Sequence, residues 1–388
     1  MIVRFEIKKI ICVPAILGFA VLLAVLNCVV AVGLSRSEEI DYINAVNTIA
    51  GNKFSASYTK KLESILPPDE DSVESWFHED LLAAAQNFDI RTAKHYAEEL
   101  ENYEQSLEAE NEFFGKIIAS LMARKYEKAG IEAARKLACG EINYVAFAGE
   151  TGRIFNSVSG TLGVLMVAEC SLIAVLAVMY SLSCEHISGA DMLVYSTRKG
   201  RRKIVLSKIA ASVLVSSGVY AFIFILGYGI YFALNDFSQV WNVPVSAYYN
   251  FISVNSNGMP VLAWSSMTFL EYFIFSSLLG YAIMLVFMLF AAAVGLASKN
   301  TYAGFGLLAL TVLLNVALIV VPPDSPAGLL LINMFPAGII NTMPAWFQYG
   351  SSITLFAYQE TILVILWLLL MAAVLAVSLR YFAKKDIR

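Results

Sequence analysis

A short charged segment between two long apolar runs holds the residues of this chain best suited to polar chemistry. From Glu185 to Lys208 the sequence is EHISGADMLVYSTRKGRRKIVLSK, a mixture of acids, hydroxyls, glycines and bases. Glu185 and Asp191 could form ion pairs with basic groups on a partner protein. Gly189 permits a tight turn or a close backbone approach. The chemistry indicated here is recognition of another protein by charge.

The basic run at 198–203 has a second interpretation. Clusters of Lys and Arg beside an apolar run also bind anionic lipid headgroups and fix the orientation of the neighbouring span. Taken alone, the run favours this simpler role in membrane topology. The choice between the two roles therefore depends on the rest of the segment.

The elements that hold this segment are long and apolar. Hydrophobic residues make up 58% of the 388-residue chain and charged residues only 15%, a balance that ordinary soluble domains do not have. Runs of about 20 apolar residues are needed to cross a bilayer. Six runs reach that length, at 10–34, 161–183, 204–234, 265–298, 301–321 and 359–382. We therefore expect an all-α integral membrane protein with six transmembrane helices.

The distribution of Lys and Arg predicts the orientation of these spans. Basic residues precede the first span, lie between the second and third and between the fourth and fifth, and follow the sixth. The short loops at 235–264 and 322–358 contain none. Both termini are therefore expected to be cytoplasmic. The first apolar run, of about 25 residues, is expected to remain as an anchor, because the apolar region of a cleaved signal peptide spans roughly 7–15 residues.

A polar insert at 35–160 separates the first two spans and is expected to form an extracellular helical domain. It has 22 acidic and 13 basic side chains, so it would attract cationic partners at long range. Apolar residues at heptad spacing predict a coiled-coil-like seam, made of Tyr96, Leu100, Tyr103, Leu107, Phe114, Ile117 and Leu121. The seam is either the buried core of a small bundle or a docking surface for a cargo or partner protein. The last helix of the insert could continue into the second span.

From Glu185 to Lys208 the sequence resembles the signature of type 2 ABC exporter permeases, E-x3-G…L-L-S-T-P-x-S-R-R-x-I-x-x-x-K. Arg198 stands where that family usually has proline. The resemblance implies that the cytoplasmic loop at 184–203 is a coupling segment, which passes on the motion of a separate ATPase subunit. It assigns to this coupling Glu185, Ser188, Gly189, Asp191, Leu193, Ser196, Thr197, Arg198, Arg201, Arg202 and Lys208. Because these residues match together, the resemblance favours coupling over lipid anchoring alone.

The layout of the whole chain is similar to that of one subgroup of the family. That subgroup has a large external domain between spans one and two and then five further spans, as expected here for 1–34, 35–160 and 161–388. The family also has short re-entrant helices on the outer side between spans five and six. The Pro- and Gly-rich segment 322–358 has a suitable composition. Such a segment can lie at membrane depth only where other protein satisfies its backbone.

The resemblance implies the membrane subunit of an exporter in a bacterial cell membrane, dimeric with itself or with a paralogous permease. Cytoplasmic ATPase subunits would bind ATP and magnesium, so no cofactor is expected in this chain. The expected cargo is a peptide or an amphiphilic small molecule, with a polysaccharide or glycolipid as the alternative. The rival interpretation is a membrane-anchored sensor or assembly protein whose outer domain binds a partner.

Three polar residues in or beside the spans are candidates for the translocation path: Glu169, Glu271 and Asn315. A carboxylate at the centre of a span costs roughly 3 kcal/mol on insertion scales, so it usually faces a bundle interior or an aqueous path. Glu169 could instead form a structural hydrogen bond between spans. Glu271 could lie at the outer membrane interface, and Asn315 could form an interhelical hydrogen bond.

Several other function classes lack support in the sequence. No G-x-x-x-x-G-K-[ST] segment is present, so the chain is not expected to bind ATP through a Walker A loop or to act as an enzyme by itself. His78, His95 and His186 do not have the spacing of metal ligands. The acidic insert is the opposite of the basic surface that binds nucleic acid.

Overall fold

The computed structural model describes most of the chain, and its regular elements are helices. The described residues are 2–35, 37–65, 75–86, 113–147, 152–187, 198–248, 262–297, 332–349 and 354–384, with Gly306, Ala309, Leu310, Leu313 and Ala317. The helices are α1 (Ile2–Ile11), α2 (Pro14–Gly33), α3 (Ser37–Ala50), α4 (Ala56–Ser64), α5 (75–86), α6 (Phe113–Ala138), α7 (Gly152–Asn156), α8 (Gly163–Ile187), α9 (Arg198–Leu234), α10 (Phe269–Ala297), α11 (Pro336–Asn341) and α12 (Gln359–Lys384). A π-helical stretch, Ser157–Leu162, joins α7 to α8.

Five helices within the described residues are long and apolar enough to cross a membrane. They are Pro14–Gly33, Ile154–Glu185, Arg202–Leu234, Phe269–Ala297 and Gln359–Lys384. Each coincides with one of the predicted spans, which confirms the expectation of apolar helices and indicates a membrane-embedded protein. The remaining predicted span, 301–321, lies almost wholly outside the described residues.

These apolar helices pack side by side around α8. Helix α8 contacts α9 on one side and α10 on the other, α2 packs against α9, and α12 packs against α10. Helix α8 is apolar on all sides, which is typical of a helix at the centre of a bundle. The outermost helix, α12, leaves large side chains such as Leu369 and Val377 exposed.

The described part of the insert forms a small helical domain with its own core. Its helices are α3 to α6, and their buried side chains include Val46, Tyr58 and Leu81. Leu262 and Tyr349, from segments that follow α9 and α11, are buried in the same core. The insert is therefore packed onto one end of the apolar bundle and is not held by its covalent connections alone.

The predictions for the helices of the insert have different outcomes. Helix α6 ends at Ala138, and Gly140 follows with a left-handed φ of 71°, a conformation that glycine adopts without strain. The last helix of the insert is α7, which continues through the π-helical stretch into α8, the second span, as the sequence predicted. Of the predicted heptad seam, Ile117 and Leu121 are 44% and 40% exposed, so a buried seam is wrong for these two positions. Tyr96, Leu100, Tyr103 and Leu107 lie outside the described residues.

The described part of the predicted re-entrant segment is compact and well buried. It contains α11 and a 3-10 turn, Met343–Ala345. A Cβ atom at Gly338 would clash with the carbonyl oxygen of Ile332, so only glycine fits at this position of α11. The Trp346 indole donates to the Ile339 carbonyl at 3.0 Å, and the Tyr272 hydroxyl donates to the Met343 carbonyl at 3.0 Å. Tyr272 of α10 thus satisfies part of this backbone from outside the segment, while the re-entrant position in a membrane stays a prediction.

Candidate functional site

Four charged side chains meet at one end of the bundle, where the second and third spans enclose the charged segment. We call them the basal cluster: Glu6, Lys9, Glu185 and Lys208. The Lys208 ammonium group lies 2.5 Å from Glu185 Oε2 and 3.4 Å from Glu6 Oε2, and it also donates to the Ser181 carbonyl. Lys9 Nζ lies 3.1 Å from Glu185 Oε1 and 3.5 Å from Glu6 Oε1. The formal charges of these two acids and two bases therefore sum to zero within one connected network.

Burial makes the pairing within the basal cluster energetically important. Lys208 is 0% exposed and Glu185 is 4% exposed. A buried charge carries a desolvation penalty of several kcal/mol unless an opposite charge and hydrogen bonds compensate for it. Each cluster member thus stabilises the fold only while its partners are present.

Three separate helices position the basal cluster. Glu6 and Lys9 lie on α1, where they are three residues apart and on neighbouring parts of the same face. Glu185 lies in the last turn of α8, and Lys208 lies in α9, ten residues after the start of that helix at Arg198. The cluster therefore joins the N-terminal helix to both helices that flank the charged segment.

Lys9 is the most accessible member of the basal cluster and remains charged. Burial acts to lower the pKa of Lys9, but the hydrogen bond and the charge of Glu185, with the charge of Glu6, outweigh this effect and raise the pKa above its ordinary value. A lysine with a raised pKa is protonated throughout the physiological range. Lys9 therefore brings a positive charge to its contact with Glu185 at neutral pH.

The predicted coupling residues fall into three groups in the structure. Glu185 and Lys208 are brought together. Arg198, Arg201 and Arg202 belong to the first turns of α9, and the Arg202 side chain is exposed. Ser188, Gly189, Asp191, Leu193, Ser196 and Thr197 lie outside the described residues. Since α8 extends to Ile187 and α9 begins at Arg198, helix extends further into the predicted loop 184–203 than expected.

The expectation that Glu185 pairs with a partner protein is not supported by its position. Its two carboxylate oxygens pair with Lys9 and Lys208 of the same chain. Sequence reasoning missed Glu6 and counted Lys9 only among the basic residues that precede the first span. The sequence feature that could have indicated the basal cluster was Glu6, an acid within the otherwise apolar and basic helix IVRFEIKKII.

Glu169 lies within the bundle and pairs with Asn27 of α2. Asn27 Nδ2 donates to Glu169 Oε2 at 2.5 Å and to the Leu23 carbonyl at 2.8 Å. Both side chains are buried. This geometry corresponds to a hydrogen bond between spans, the structural alternative for Glu169. Asn27 was not singled out from the sequence because its partner lies 142 residues away.

Glu271 caps the N-terminus of α10. Its Oε2 atom accepts from the Thr268 backbone amide at 2.8 Å, and its own amide donates to Thr268 Oγ1 at 3.3 Å. This reciprocal pair is a capping box. The T-x-x-E spacing at 268–271 before an apolar run was the sequence signal for it. The placement suits an interfacial position at a helix end, whereas Asn315 lies outside the described residues.

A second buried charge pair attaches the insert to the opposite end of the bundle. Lys136 Nζ donates to Glu141 Oε1 at 2.8 Å and to Ser246 Oγ at 2.7 Å. Ser266 Oγ donates to Glu141 Oε2 at 2.9 Å. Ser246 follows α9 and Ser266 precedes α10, so both lie far along the bundle from Lys208. This group, the apical cluster, holds α6 against two loops of the bundle.

Lys125 of α6 makes a further attachment between the insert and the bundle. Its ammonium group donates to the Thr354 carbonyl at 2.8 Å and to Thr354 Oγ1 at 3.3 Å. Burial lowers the pKa of Lys125 to about 7. This group therefore titrates near neutral pH in the folded protein, whereas it titrates near 10.5 in the unfolded chain.

We expect the stability of the protein to rise between pH 7 and pH 9.5 because of Lys125. Over that range the unfolded chain keeps the proton and the folded protein releases it, so the free energy of unfolding increases with pH. Thermal unfolding in detergent should show this rise in the wild type and a weaker one in Lys125→Met. Lys128→Met, an exposed substitution one turn away, is the control. Parallel pH profiles for wild type and Lys125→Met would contradict the assignment.

Comparisons with known proteins give no relative for this chain. No protein-family model matches the sequence, and no curated protein matches it significantly. Among the described residues, no group of three or more His, Cys, Asp or Glu side chains is placed to hold a metal ion. The functional interpretation therefore depends on the geometry of the basal cluster and on the motif whose two ends it joins.

Proposed function

We propose that this chain is the membrane subunit of an ABC exporter and that it couples ATP hydrolysis by a separate ATPase subunit to outward transport. The observation that carries the proposal is the buried ion pair between Glu185 and Lys208. These residues are the first and last of the motif that resembles the coupling segment of type 2 permeases. Their contact fixes both ends of the segment to the bases of two apolar helices.

Mechanical coupling requires that both ends of the coupling segment are held rigidly. A segment that receives force from a partner transmits it only if its ends cannot move independently of the membrane helices. The pairing of Lys208 with Glu185 meets this requirement, and the contact of Lys9 with Glu185 adds α1 to the same unit. The exposed Arg202 side chain, at the start of α9, remains accessible to a partner.

The remaining parts of the proposal follow from the family resemblance and the charge distribution. The chain would lie in a bacterial cell membrane with both termini and the basal cluster on the cytoplasmic side, and the insert would be extracellular. It would work with a second permease copy or paralogue. The cargo would be a peptide or an amphiphilic small molecule, with a polysaccharide or glycolipid as the alternative.

The proposal is tested by purifying the tagged chain from native membranes in mild detergent. We expect an ATPase with a Walker A loop to copurify in stoichiometric amount and to hydrolyse ATP. Arg202→Glu should remove most of the bound ATPase, because it reverses an exposed charge at the start of α9. Arg124→Glu makes the same change on exposed α6 of the insert and should retain the ATPase. Substitution of Glu185 is less informative, because it would break the basal cluster.

Recovery of the chain without any nucleotide-hydrolysing partner would contradict the exporter proposal. It would favour the sensor or assembly role, in which the insert binds a partner and no coupling is needed. Equal loss of the ATPase in Arg202→Glu and Arg124→Glu would show that the contact does not lie at the start of α9.

A further inference from the structure

The ten-residue helix α1 has a buried face and an exposed face. Glu6 and Ile10 are buried against the bundle. On the opposite side, Phe5 is 60% exposed and Ile11 is 47% exposed. Arg4 and Lys8, one turn apart and also exposed, project between Phe5 and Ile11 around the helix axis. The exposed face of α1 therefore combines basic and large apolar side chains, a combination typical of helices that lie in a lipid headgroup layer.

The position of α1 in the bundle places this face at the level of the helix ends. Two residues separate α1 from α2, the first apolar span. Through the basal cluster, α1 also contacts Glu185, where the span Ile154–Glu185 ends. Helix α1 also contacts α9, where Glu6 lies 3.4 Å from Lys208 near the start of the span Arg202–Leu234. Three spans thus begin or end beside α1, so it lies where a bilayer meets water.

Charge gives this surface a preference among lipids. Two further basic residues, Arg202 and Lys203, are exposed at the start of α9, the helix that α1 contacts most. The acid of α1, Glu6, is buried in the basal cluster and paired there with Lys9 and Lys208. The exposed face of α1 therefore presents positive charge without a compensating acid of its own.

We propose that the exposed face of α1, defined by Arg4, Phe5, Lys8 and Ile11, is a docking surface for anionic phospholipid headgroups. Phe5 and Ile11 insert at the boundary between headgroups and acyl chains, while Arg4 and Lys8 bind the lipid phosphates. A lipid surface suits this face, because exposed basic side chains and large exposed apolar side chains lie together at the level of three span ends. The inference depends on membrane embedding and is independent of the cargo and of the ATPase.

Binding on this face would also affect the basal cluster. Glu6 and Lys9 are carried by the same ten-residue helix. Lipid that holds α1 against the bundle would keep these two residues in contact with Glu185 and Lys208. The thermal stability of the whole protein is then expected to depend on the anionic lipid content of its membrane.

The test uses the full-length protein in nanodiscs of phosphatidylcholine alone or with phosphatidylglycerol. We expect phosphatidylglycerol to raise the melting temperature of the wild type, and 0.5 M salt to reduce that increase by screening. In Arg4→Gln/Lys8→Gln, the ratio of phosphatidylglycerol to phosphatidylcholine retained after detergent extraction should fall about thirtyfold, as expected for the loss of two basic residues at an anionic surface.

The matched control is Arg124→Gln/Lys128→Gln. It changes the same residue types at the same four-residue spacing on the exposed surface of α6, and it should keep both the stabilisation and the retained lipid. The proposal is overturned if phosphatidylglycerol does not stabilise the wild type, or if both double variants respond to it equally. Unaltered lipid retention in Arg4→Gln/Lys8→Gln would also overturn it.

Discussion

Lys208→Met is expected to lower the free energy of unfolding by about 3 to 5 kcal/mol, as is typical when one partner of a buried ion pair is removed. Methionine fills a similar volume but removes the ammonium group that contacts both Glu6 and Glu185, so that Lys9 is the cation still paired with them among the described residues. Both carboxylates are buried, so neither can be solvated without movement of the helices.

Thermal and denaturant unfolding of the purified protein in detergent would measure this loss. Lys203→Met is the matched control, because it removes an exposed lysine five residues earlier on the same helix. We expect its effect to lie within about 0.5 kcal/mol of zero.

A double-mutant cycle identifies the source of the effect. Glu185→Gln/Lys208→Met removes both charges of the closest pair, so it should be less destabilised than the sum of the two single variants. Additive effects, or a Lys208→Met variant as stable as the Lys203→Met control, would show that the basal cluster does not stabilise the fold in the way its geometry indicates.

Lys136→Met should cause a loss of similar size, about 3 to 5 kcal/mol, at the opposite end of the bundle. The substitution leaves Glu141 buried with hydrogen bonds from Ser246 and Ser266 but without the ammonium group that pairs with it directly. Because the apical cluster attaches α6 to the bundle, limited proteolysis should cut the insert faster in this variant. Lys128→Met, on the exposed side of α6, should behave like the wild type. Equal proteolysis rates would contradict an attachment through Lys136.

The apical cluster also has a predictable pH dependence. Burial acts to raise the pKa of Glu141, but the hydrogen bond and charge of Lys136, with the two serine hydroxyls, outweigh this effect and lower the pKa below 4.5. A carboxyl with a lowered folded-state pKa stabilises the protein above pH 4.5, and this contribution is lost as the pH falls through the folded-state value. Unfolding measured from pH 6 to pH 3 should show the decline in the wild type and a weaker one in Lys136→Met.

The apolar helices could be predicted from the sequence because their length and composition have few alternative explanations. A run such as Phe269–Ala297 is too long and too apolar for a soluble fold. Its start at a capping box was also readable, since Thr268 and Glu271 are close in the sequence. Local chemistry of this kind depends on spacing alone.

The partners of the buried charges could not be predicted in the same way. Lys9 and Glu185 are 176 residues apart, and Lys136 and Ser246 are 110 residues apart. Their contacts form only when particular helices pack together. The spacing of residues in the sequence does not determine which helices do so. The motif named Glu185 and Lys208 as important, but the structure was needed to place them in one ion pair and to add Glu6 and Lys9.

Helix α9 is unbroken from Arg198 to Leu234, and the ion pairs of Lys208 with Glu6 and Glu185 hold it near its start. This geometry affects how the helix would transmit movement. At 1.5 Å per residue, its free arm from Lys208 back to Arg198 is about 15 Å long, and the arm from Lys208 to Leu234 is about 39 Å. A rigid rod that pivots at Lys208 is a lever with a gain of roughly 2.5. A displacement of about 3 Å at Arg198 would swing the far end by about 8 Å in the opposite direction. Small movements at one membrane surface would thus become large ones at the other.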